Sequence, residues 1–457
     1  MTVERFDIIV FGGGKAGKTL AMDQAKAGRR VAMIERGLIG GSCINVACIP
    51  SKTLIRSAQV RALIGKASDF GAHAAPPLDM AAVARRTADV VGEMVSMNQR
   101  AFESSGLELV QGWGRFVGQR IIEVGTADGP RLLTAPAIYL NTGTTADVPS
   151  VKGMAEAHPI THVEALTLGD LPEHLLVLGA GYIGLELGQA YRRLGAAVTI
   201  VEQGPQIAAR EDADIASAMR AALEEDGVVV LTGFEVAEIT GRSGDSVSMV
   251  LSDGTVISGS HLLVAAGRRP MTSGIGLELA GVEIDDRGFV KTDAQLRTTA
   301  DGIWALGEIA GTPMFTHASL DDYRVIKSAM SGGGYLTTGR LIPYCVFIDP
   351  ELARVGLNER EATALGVDYR LFSLSMDVVP RARTLGERKG LMKALVGTDD
   401  RILGFTMLGA QAGEVMTAVH LAMLGSLPYT AVRDAIIAHP TLAEGLGMLF
   451  ATVPASR

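Results

Sequence analysis

The chain has 457 residues, 47% of them hydrophobic and 20% charged, with a formal net charge of −8. This is ordinary globular composition, long enough for roughly two to four domains with ample core, and the acidic balance argues against nucleic acid or an anionic membrane as the main partner. Three cysteines are far too few for a disulfide-stapled secreted fold. No uninterrupted apolar run reaches the length of a membrane span and no leader signature is present in order, so a soluble, cytoplasmic protein is expected, in which a reversible dithiol can work.

In chain order, residues 6–11 (FDIIVF) read as a buried strand, followed at once by Gly12-Gly13-Gly14-Lys15-Ala16-Gly17 and a helical stretch to about Lys26. This is Gly-x-Gly-x-x-Gly between strand and helix. Gly12 allows the tight turn, Gly14 lets backbone meet a pyrophosphate, and Gly17 lets helix pack on sheet. The diphosphate would sit on the helix N-terminus. The next strand, 31–34, ends in Glu35, whose carboxylate can accept hydrogen bonds from ribose hydroxyls.

A glycine pair, Gly40-Gly41, then leads into Ser42-Cys43-Ile44-Asn45-Val46-Ala47-Cys48-Ile49-Pro50-Ser51-Lys52. Cys43 and Cys48 stand five positions apart, and Lys52 follows four later. Pro50 suits the start of a helix. The first turn of a helix offers unpaired N–H groups and a positive dipole end, and both favour a thiolate. Two readings fit this spacing: a redox disulfide across a loop-to-helix turn, or two buried cysteines in a packed helix.

Residues 81–105 look helical, and the segment to about 140 alternates in a β-like way. Asn141-Thr142-Gly143-Thr144 ends a strand in a small-residue turn. The nucleotide device then repeats, with strand 175–178, Gly179-Ala180-Gly181-Tyr182-Ile183-Gly184, and strand 197–201 ending in Glu202. First glycine to acid is 23 positions in both copies. Two matched nucleotide folds imply two dinucleotides, one a flavin and the other a nicotinamide dinucleotide. Glu202 would bond a free ribose 2′-OH and repel a 2′-phosphate, which favours NADH, while Arg192, Arg193 and Arg210 could still admit NADPH. A strand at 262–265 leads to Gly267-Arg268-Arg269-Pro270, and 303–308 follow as strand and turn.

From about 342 the pattern becomes α+β, with strands at 345–348, 394–396 and 403–405 and helices near 359–365 and 413–424. Near the end, Pro440 predicts a helix start, and Glu444 about a turn onward can orient His439 and raise its basicity, against the plainer reading of a structural histidine. Cys345 reads as a buried structural thiol. Arg381 and Arg383 read as a solvated loop rather than an anion-steering pair. Most of the 18 methionines read as core packing rather than soft-metal ligands.

Three of these stretches together resemble the motifs of the flavoprotein disulfide reductase family, whose members include glutathione reductase, dihydrolipoamide dehydrogenase and mercuric reductase. Gly-Gly-Ser-Cys-Ile-Asn-Val-Ala-Cys-Ile-Pro-Ser-Lys resembles its redox motif, Gly-Ala-Gly-Tyr-Ile-Gly-Leu-Glu its nicotinamide motif, and His-Pro-Thr-Leu-Ala-Glu its C-terminal acid–base motif. The resemblance covers essentially the whole chain. Asp321-Asp322-Tyr323-Arg324, Pro380-Arg381-Ala382-Arg383 and Met448-Leu449-Phe450 are most similar to the reactive-chlorine-resistance reductases, relatives of mercuric reductase.

The resemblance implies an α/β chain with two Rossmann-like dinucleotide-binding domains plus a C-terminal α+β dimerisation domain. Residues 1–148 and 271–338 would form the FAD-binding domain, 149–270 the NAD(P)H-binding domain and 339–457 the dimerisation domain of a homodimer. It implies a Cys43–Cys48 redox disulfide, with Cys48 as the charge-transfer thiol against the flavin and Cys43 as the interchange thiol, kept as thiolate by a neighbouring base. Lys52 would approach the flavin and pair with Glu186. Tyr182 would cover the flavin until the nicotinamide arrives. His439, held by Glu444 and supplied by the partner subunit, would move protons to and from Cys43. Flavin contacts would come from Gly12, Gly14, Gly17, Glu35, Ser42, Lys52, Gly114, Thr142, Gly143 and Glu308. Nicotinamide contacts would come from Gly179, Gly181, Tyr182, Gly184, Glu202 and Gly267.

The implied activity is an FAD-dependent NAD(P)H oxidoreductase, with a small disulfide or a thiophilic metal ion such as Cu(II) as acceptor and no resident metal. Dihydrolipoamide dehydrogenase is the nearest enzymatic alternative, and a flavin-binding redox sensor dimer is an alternative of another class. Departures from the family pattern are Ser42 for a common Thr, Ala47 for a common Gly, and Glu308 where Asp is usual, an extra methylene at a flavin-contacting position. The tail through Val453 and Pro454 carries no cysteine pair of the kind mercuric reductases use, and no N-terminal metal-binding domain is present, so efficient mercury reduction is not expected.

Overall fold

The computed structural model describes residues 2–73 and 76–456, which group into two compact units. The first comprises Met1–Leu54, Ala81–Asp147 and Gly267–Arg340. Its centre is a five-stranded parallel sheet in the order Ile303–Ala305, Ala137–Leu140, Ile8–Phe11, Val31–Glu35, Glu108–Gln111. Successive side chains of a strand point to opposite faces. Ile9, Phe11 and Ile34 enter one apolar cluster and Ile8, Val10 and Met33 another. With both faces covered, the strands read as unbroken apolar runs.

Parallel neighbours need a crossover, which the helix Lys15–Lys26 supplies between the second and third strands of the chain through its buried Ala16, Gly17, Leu20 and Ala21. The alternating stretch after residue 112 is an antiparallel meander of Trp113–Gly118, Ile121–Thr126 and Gly129–Thr134. A short ribbon pairs Thr144–Ala146 with Arg268–Pro270.

The second unit comprises Ile55–Met80, Val148–Ala266 and Leu341–Arg457. Its four-stranded parallel sheet runs Val229–Thr232, Ala197–Glu202, His174–Leu178, His261–Val264, with Tyr182–Leu194 as the crossover helix. The chain beyond 341 forms a six-stranded antiparallel sheet packed on the helix Ala412–Leu424. Three of its strands, Glu351–Gly356, Arg370–Ser375 and Ala455–Ser456, lie outside the predicted set.

Arg381 and Arg383 do not lie in a loop. Pro380 opens a short helix, Pro380–Leu385, and Arg383 pairs with Asp377 at 3.0 Å. The helix expected at Pro440 begins five residues later, at Gly445. Thr441 is the reason: its hydroxyl donates to the Ala438 carbonyl at 2.8 Å and accepts the Glu444 N–H at 3.2 Å, a local turn that takes the place of helical bonds. Among the described residues, no helix is long and apolar enough to cross a membrane.

Candidate active site

In the first unit the three fingerprint glycines stand where side chains have no room. Gly12 has φ +108°, and a Cβ there would lie 2.3 Å from the Asn141 carbonyl oxygen. A Cβ at Gly14 would lie 2.5 Å from Asn141 Oδ1, and one at Gly17 2.5 Å from the Gly12 carbonyl. Gly14 caps the helix without a side chain, which leaves the Lys15 and Ala16 N–H groups open, while the Gly17 N–H donates to Asn141 Oδ1. Glu35 accepts the Gly13 N–H at 2.9 Å through one oxygen and the Gly37 N–H at 3.0 Å through the other.

The second unit repeats the turn glycine, the close helix–strand approach and the acid's two backbone bonds. Gly179 has φ +103° and a Cβ there would meet the Ala265 carbonyl at 2.6 Å, and one at Gly184 would meet the Gly179 carbonyl at 2.1 Å. Gly181 caps the helix without a side chain. Glu202 accepts from Ala180 and Gly204, each at 2.8 Å. Bare glycine backbone, open helix N–H groups and an acid already oriented by its neighbours fit a dinucleotide in each unit. Of the three arginines weighed for a 2′-phosphate, Arg192 bonds the Asp226 and Ala196 carbonyls, and Arg193 pairs with Asp226 and Asp349. Arg210 is exposed on the loop after Glu202.

Glu308 turns toward Thr144 and Arg268. It accepts from the Thr144 hydroxyl and lies 3.0 Å from the Arg268 guanidinium, whose Nε is buried without a partner. The longer side chain therefore reaches a cation. Arg268 carried no assigned role in the sequence, and its signal there was only its place in the Gly267-Arg268-Arg269-Pro270 turn. The Thr142 hydroxyl donates to the Met271 carbonyl at 3.1 Å. Gly143 and Gly267 have positive φ with open space where a Cβ would stand. Gly114 is explained by packing, since a Cβ there would meet the Phe11 ring at 3.0 Å.

The redox stretch folds as a short helix, Ser42–Asn45, followed by Cys48–Gly65, so that Cys48 is the first residue of an 18-residue helix. Pro50, in its first turn, has no N–H to leave unpaired. Asn45 Nδ2 donates to the Ile39 and Gly41 carbonyls, both at 2.9 Å, and ties the loop that carries Ser42 and Cys43. Both thiols are half-buried and free, and they share a side-chain hydrogen bond. Cys48 Sγ also lies 3.3 Å from the Thr316 hydroxyl.

The hydrogen bond from Cys43 is the largest influence on the Cys48 thiol. With help from Thr316 and the charge of Lys52, and against burial, it lowers that thiol to about 6. The same bond and burial push Cys43 far up. The two thiols therefore titrate as a pair, with Cys48 its more acidic member.

Lys18 is a site residue that no motif marks. It is buried, and its ammonium donates to the Gly40 carbonyl at 2.9 Å and to Asn98 Oδ1 at 2.7 Å, beneath the loop that leads to Cys43. Burial, reinforced by Lys15, lowers its pKa from 10.5 to about 8. The unfolded chain thus holds this proton more tightly than the folded one. Relative to a Lys18→Met variant, the protein should gain stability as pH rises from about 8 toward 10.5, with a slope of at most about 1.4 kcal/mol per pH unit. Denaturation midpoints at several pH values check this, and parallel curves for the two proteins would contradict it.

In the second unit, His439 Nδ1 and Glu444 Oε2 are 2.7 Å apart, with the ring largely exposed and the carboxylate largely buried. Glu186 is buried and accepts the Phe347 N–H at 2.8 Å. Tyr182, first residue of its helix, donates to the buried Glu211 at 2.5 Å. Cys345 is half-buried against the C-terminal core. Asp212, Asp214 and Glu359 converge closely enough to hold a cation, and the Lys393 ammonium occupies their centre.

Two nucleotide cradles of one design and a bonded pair of unlike thiols are the equipment of a nicotinamide-dependent dithiol oxidoreductase. The chain belongs to the pyridine nucleotide-disulphide oxidoreductase family: residues 6–322 match that family and residues 342–449 its dimerisation domain. Family membership implies use of FAD and NAD(P)H. The chain is 34% identical over 458 residues to the probable pyridine nucleotide-disulfide oxidoreductase RclA of Escherichia coli (strain K12), covering 99% of this chain and 100% of that protein. It is 34% identical to a dihydrolipoyl dehydrogenase of Thermus scotoductus over 97% of this chain and 96% of the relative, and 31% identical to a mercuric reductase of Bacillus cereus over 98% and 71%. Among solved structures, a Cu(II) complex of the HOCl-induced flavoprotein disulfide reductase RclA from Escherichia coli matches with a TM-score of 0.91 at 34% identity, covering 98% of this chain and 99% of that one.

Proposed function

We propose that this enzyme moves electron pairs from NADH to the Cys43–Cys48 disulfide, and from the resulting dithiol to a small disulfide or to Cu(II). The pair of unlike thiols carries this reading, because an acid thiol and a protonated neighbour are what a reducible disulfide needs on opening. The balance is NADH, one proton and the protein disulfide giving NAD⁺ and the dithiol. The dithiol then returns to the disulfide by reducing one acceptor disulfide to two thiols, or two Cu(II) to two Cu(I) with release of two protons. Bound FAD supplies the relay between a two-electron hydride donor and sulfur.

The chain's own residues do the rest. Gly12, Gly14, Gly17, Glu35, Ser42, Thr142, Gly143 and Glu308 would hold the flavin dinucleotide, and Gly179, Gly181, Gly184 and Glu202 the nicotinamide one. Glu202 at a ribose favours NADH over NADPH. Cys48 keeps the negative charge, Lys52 stabilises it, and Cys43 attacks the acceptor. His439, oriented by Glu444, takes the Cys43 proton from across a homodimer, whose interface the dimerisation domain supplies. The finer division into 1–148 and 271–338, 149–270, and 339–457 follows the same assignment.

The test is an anaerobic titration of the flavin-loaded protein with NADH, followed by addition of Cu(II), glutathione disulfide or lipoamide. Two electron pairs taken up per protomer, one returned to Cu(II) or a disulfide, is the expected result. Uptake of a single pair would sink the dithiol route. Fast NAD⁺ reduction by dihydrolipoamide with inert Cu(II) would turn the assignment to the dihydrolipoamide dehydrogenase seen among the relatives.

A further inference from the structure

The buried carboxylate of Glu211 is shared in an unusual way. It is 1% exposed, and one oxygen accepts from both Tyr182, at 2.5 Å, and Tyr344, at 2.6 Å. The two phenol rings stack, with centroids 5.7 Å apart. Its other oxygen has no hydrogen-bond partner, although Arg354 Nε lies 3.8 Å away. Arg354 is 6% exposed, and its Nε and Nη1 are also buried without partners, while its Nη2 bonds Glu361 at 3.0 Å. A buried acid and a buried guanidinium thus face each other just beyond bonding distance, each with capacity unspent. Burial without a partner is costly for both.

We propose that Glu211 is a two-position latch on Tyr182, exchanging the Tyr182 hydroxyl for the Arg354 guanidinium when a nicotinamide dinucleotide enters the second unit. Tyr182 opens the helix that follows the Gly179 fingerprint, so its ring stands at the mouth of that cradle. This rests on the reading that the cradle takes the nicotinamide. Moving the ring breaks the Tyr182–Glu211 bond. Closing the short remaining gap to Arg354 supplies the acid with the unused Nε–H donor in exchange. Glu211, Tyr344 and Arg354 are positioning residues, acting through Tyr182.

The two ends of the latch pull in opposite directions. Tyr182→Phe keeps the ring and removes the bond that holds it, and NAD⁺ should bind about 10-fold tighter, the worth of one hydrogen bond to a charged group. Arg354→Gln removes the alternative partner, and NAD⁺ should bind about 10-fold more weakly by the same measure. The double variant should bind like Tyr182→Phe. A merely structural role would weaken binding in every variant. Calorimetric titration of NAD⁺ into the oxidised flavin-loaded proteins reads all three, with melting temperatures measured alongside. If the parent binds NAD⁺ and both single variants shift in the same direction or not at all, the latch is wrong. If the parent binds no nicotinamide dinucleotide, the assignment of the cradle falls with it.

Discussion

Cys48→Ser should lower acceptor reduction by at least about 10³-fold, because a serine hydroxyl can neither close a disulfide nor hold a negative charge near neutral pH. The pH behaviour of the parent makes this more specific. The Cys48 thiol sits at about 6, so its thiolate should be present at pH 7 and lost as pH falls through 6. The largest cause is the hydrogen bond from Cys43, ahead of Thr316 and Lys52. Cys43→Ala should therefore move the titration of Cys48 upward, toward the ordinary thiol range of about 8.5, and by more than Lys52→Met does. Thiolate absorbance of the reduced protein near 240 nm, followed against pH, measures all three. A Cys48 midpoint unmoved by Cys43→Ala would mean that the two sulfurs do not share a proton.

Lys393→Met should cost about 3–5 kcal/mol, the range for removing one partner from a buried ion pair. Lys393 is 2% exposed and its ammonium lies 3.2 Å from Asp212 and 2.9 Å from Asp214, and it also pairs with Glu359. Asp212 in addition accepts the Glu359 and Arg360 N–H groups, both at 3.2 Å. The lysine thus joins the start of the helix Ala213–Glu225 to the start of Glu359–Ala364. Burial alone would lower its pKa, but Glu359 and the two aspartates outweigh it and raise it above 10.5. Its contribution is then fully present below 10.5 and fades only as pH climbs through the raised value. Thermal melts of the two proteins at pH 7 check the loss. Three carboxylates with no ammonium between them would also make the variant, unlike the parent, gain stability from millimolar calcium.

Both nucleotide cradles could be read in the sequence because their contacts are local. Gly12 and Glu35 are 23 positions apart, as are Gly179 and Glu202, and the glycines, the helix start and the acid all fall within that span. The redox pair was legible as two options; the acid thiol that separates them owes most to Cys43, five positions away, and is helped by Thr316 from 268 positions away, which the spacing could not show. Residues whose partners are distant carried no signal at all. Lys18 meets Asn98 across 80 positions, Glu211 meets Tyr344 across 133, and Lys393 meets Asp212 across 181. The helix misplaced at Pro440 failed for a different reason. Proline does suit a helix start, but the Thr441 hydroxyl offered the backbone a competing turn.

Asn141 separates the two otherwise identical cradles. Its Oδ1 accepts the Gly17 N–H at 2.9 Å and its Nδ2 donates to the Leu306 carbonyl at 2.7 Å, whereas the matching place in the second cradle is Ala265. One amide thus stitches strand, helix and the 303–310 segment shut around the first cradle, and the alanine leaves the second unsewn. Residence times should differ accordingly: the dinucleotide that stays through many turnovers belongs where the seam is closed, and the one that leaves after each belongs where there is none.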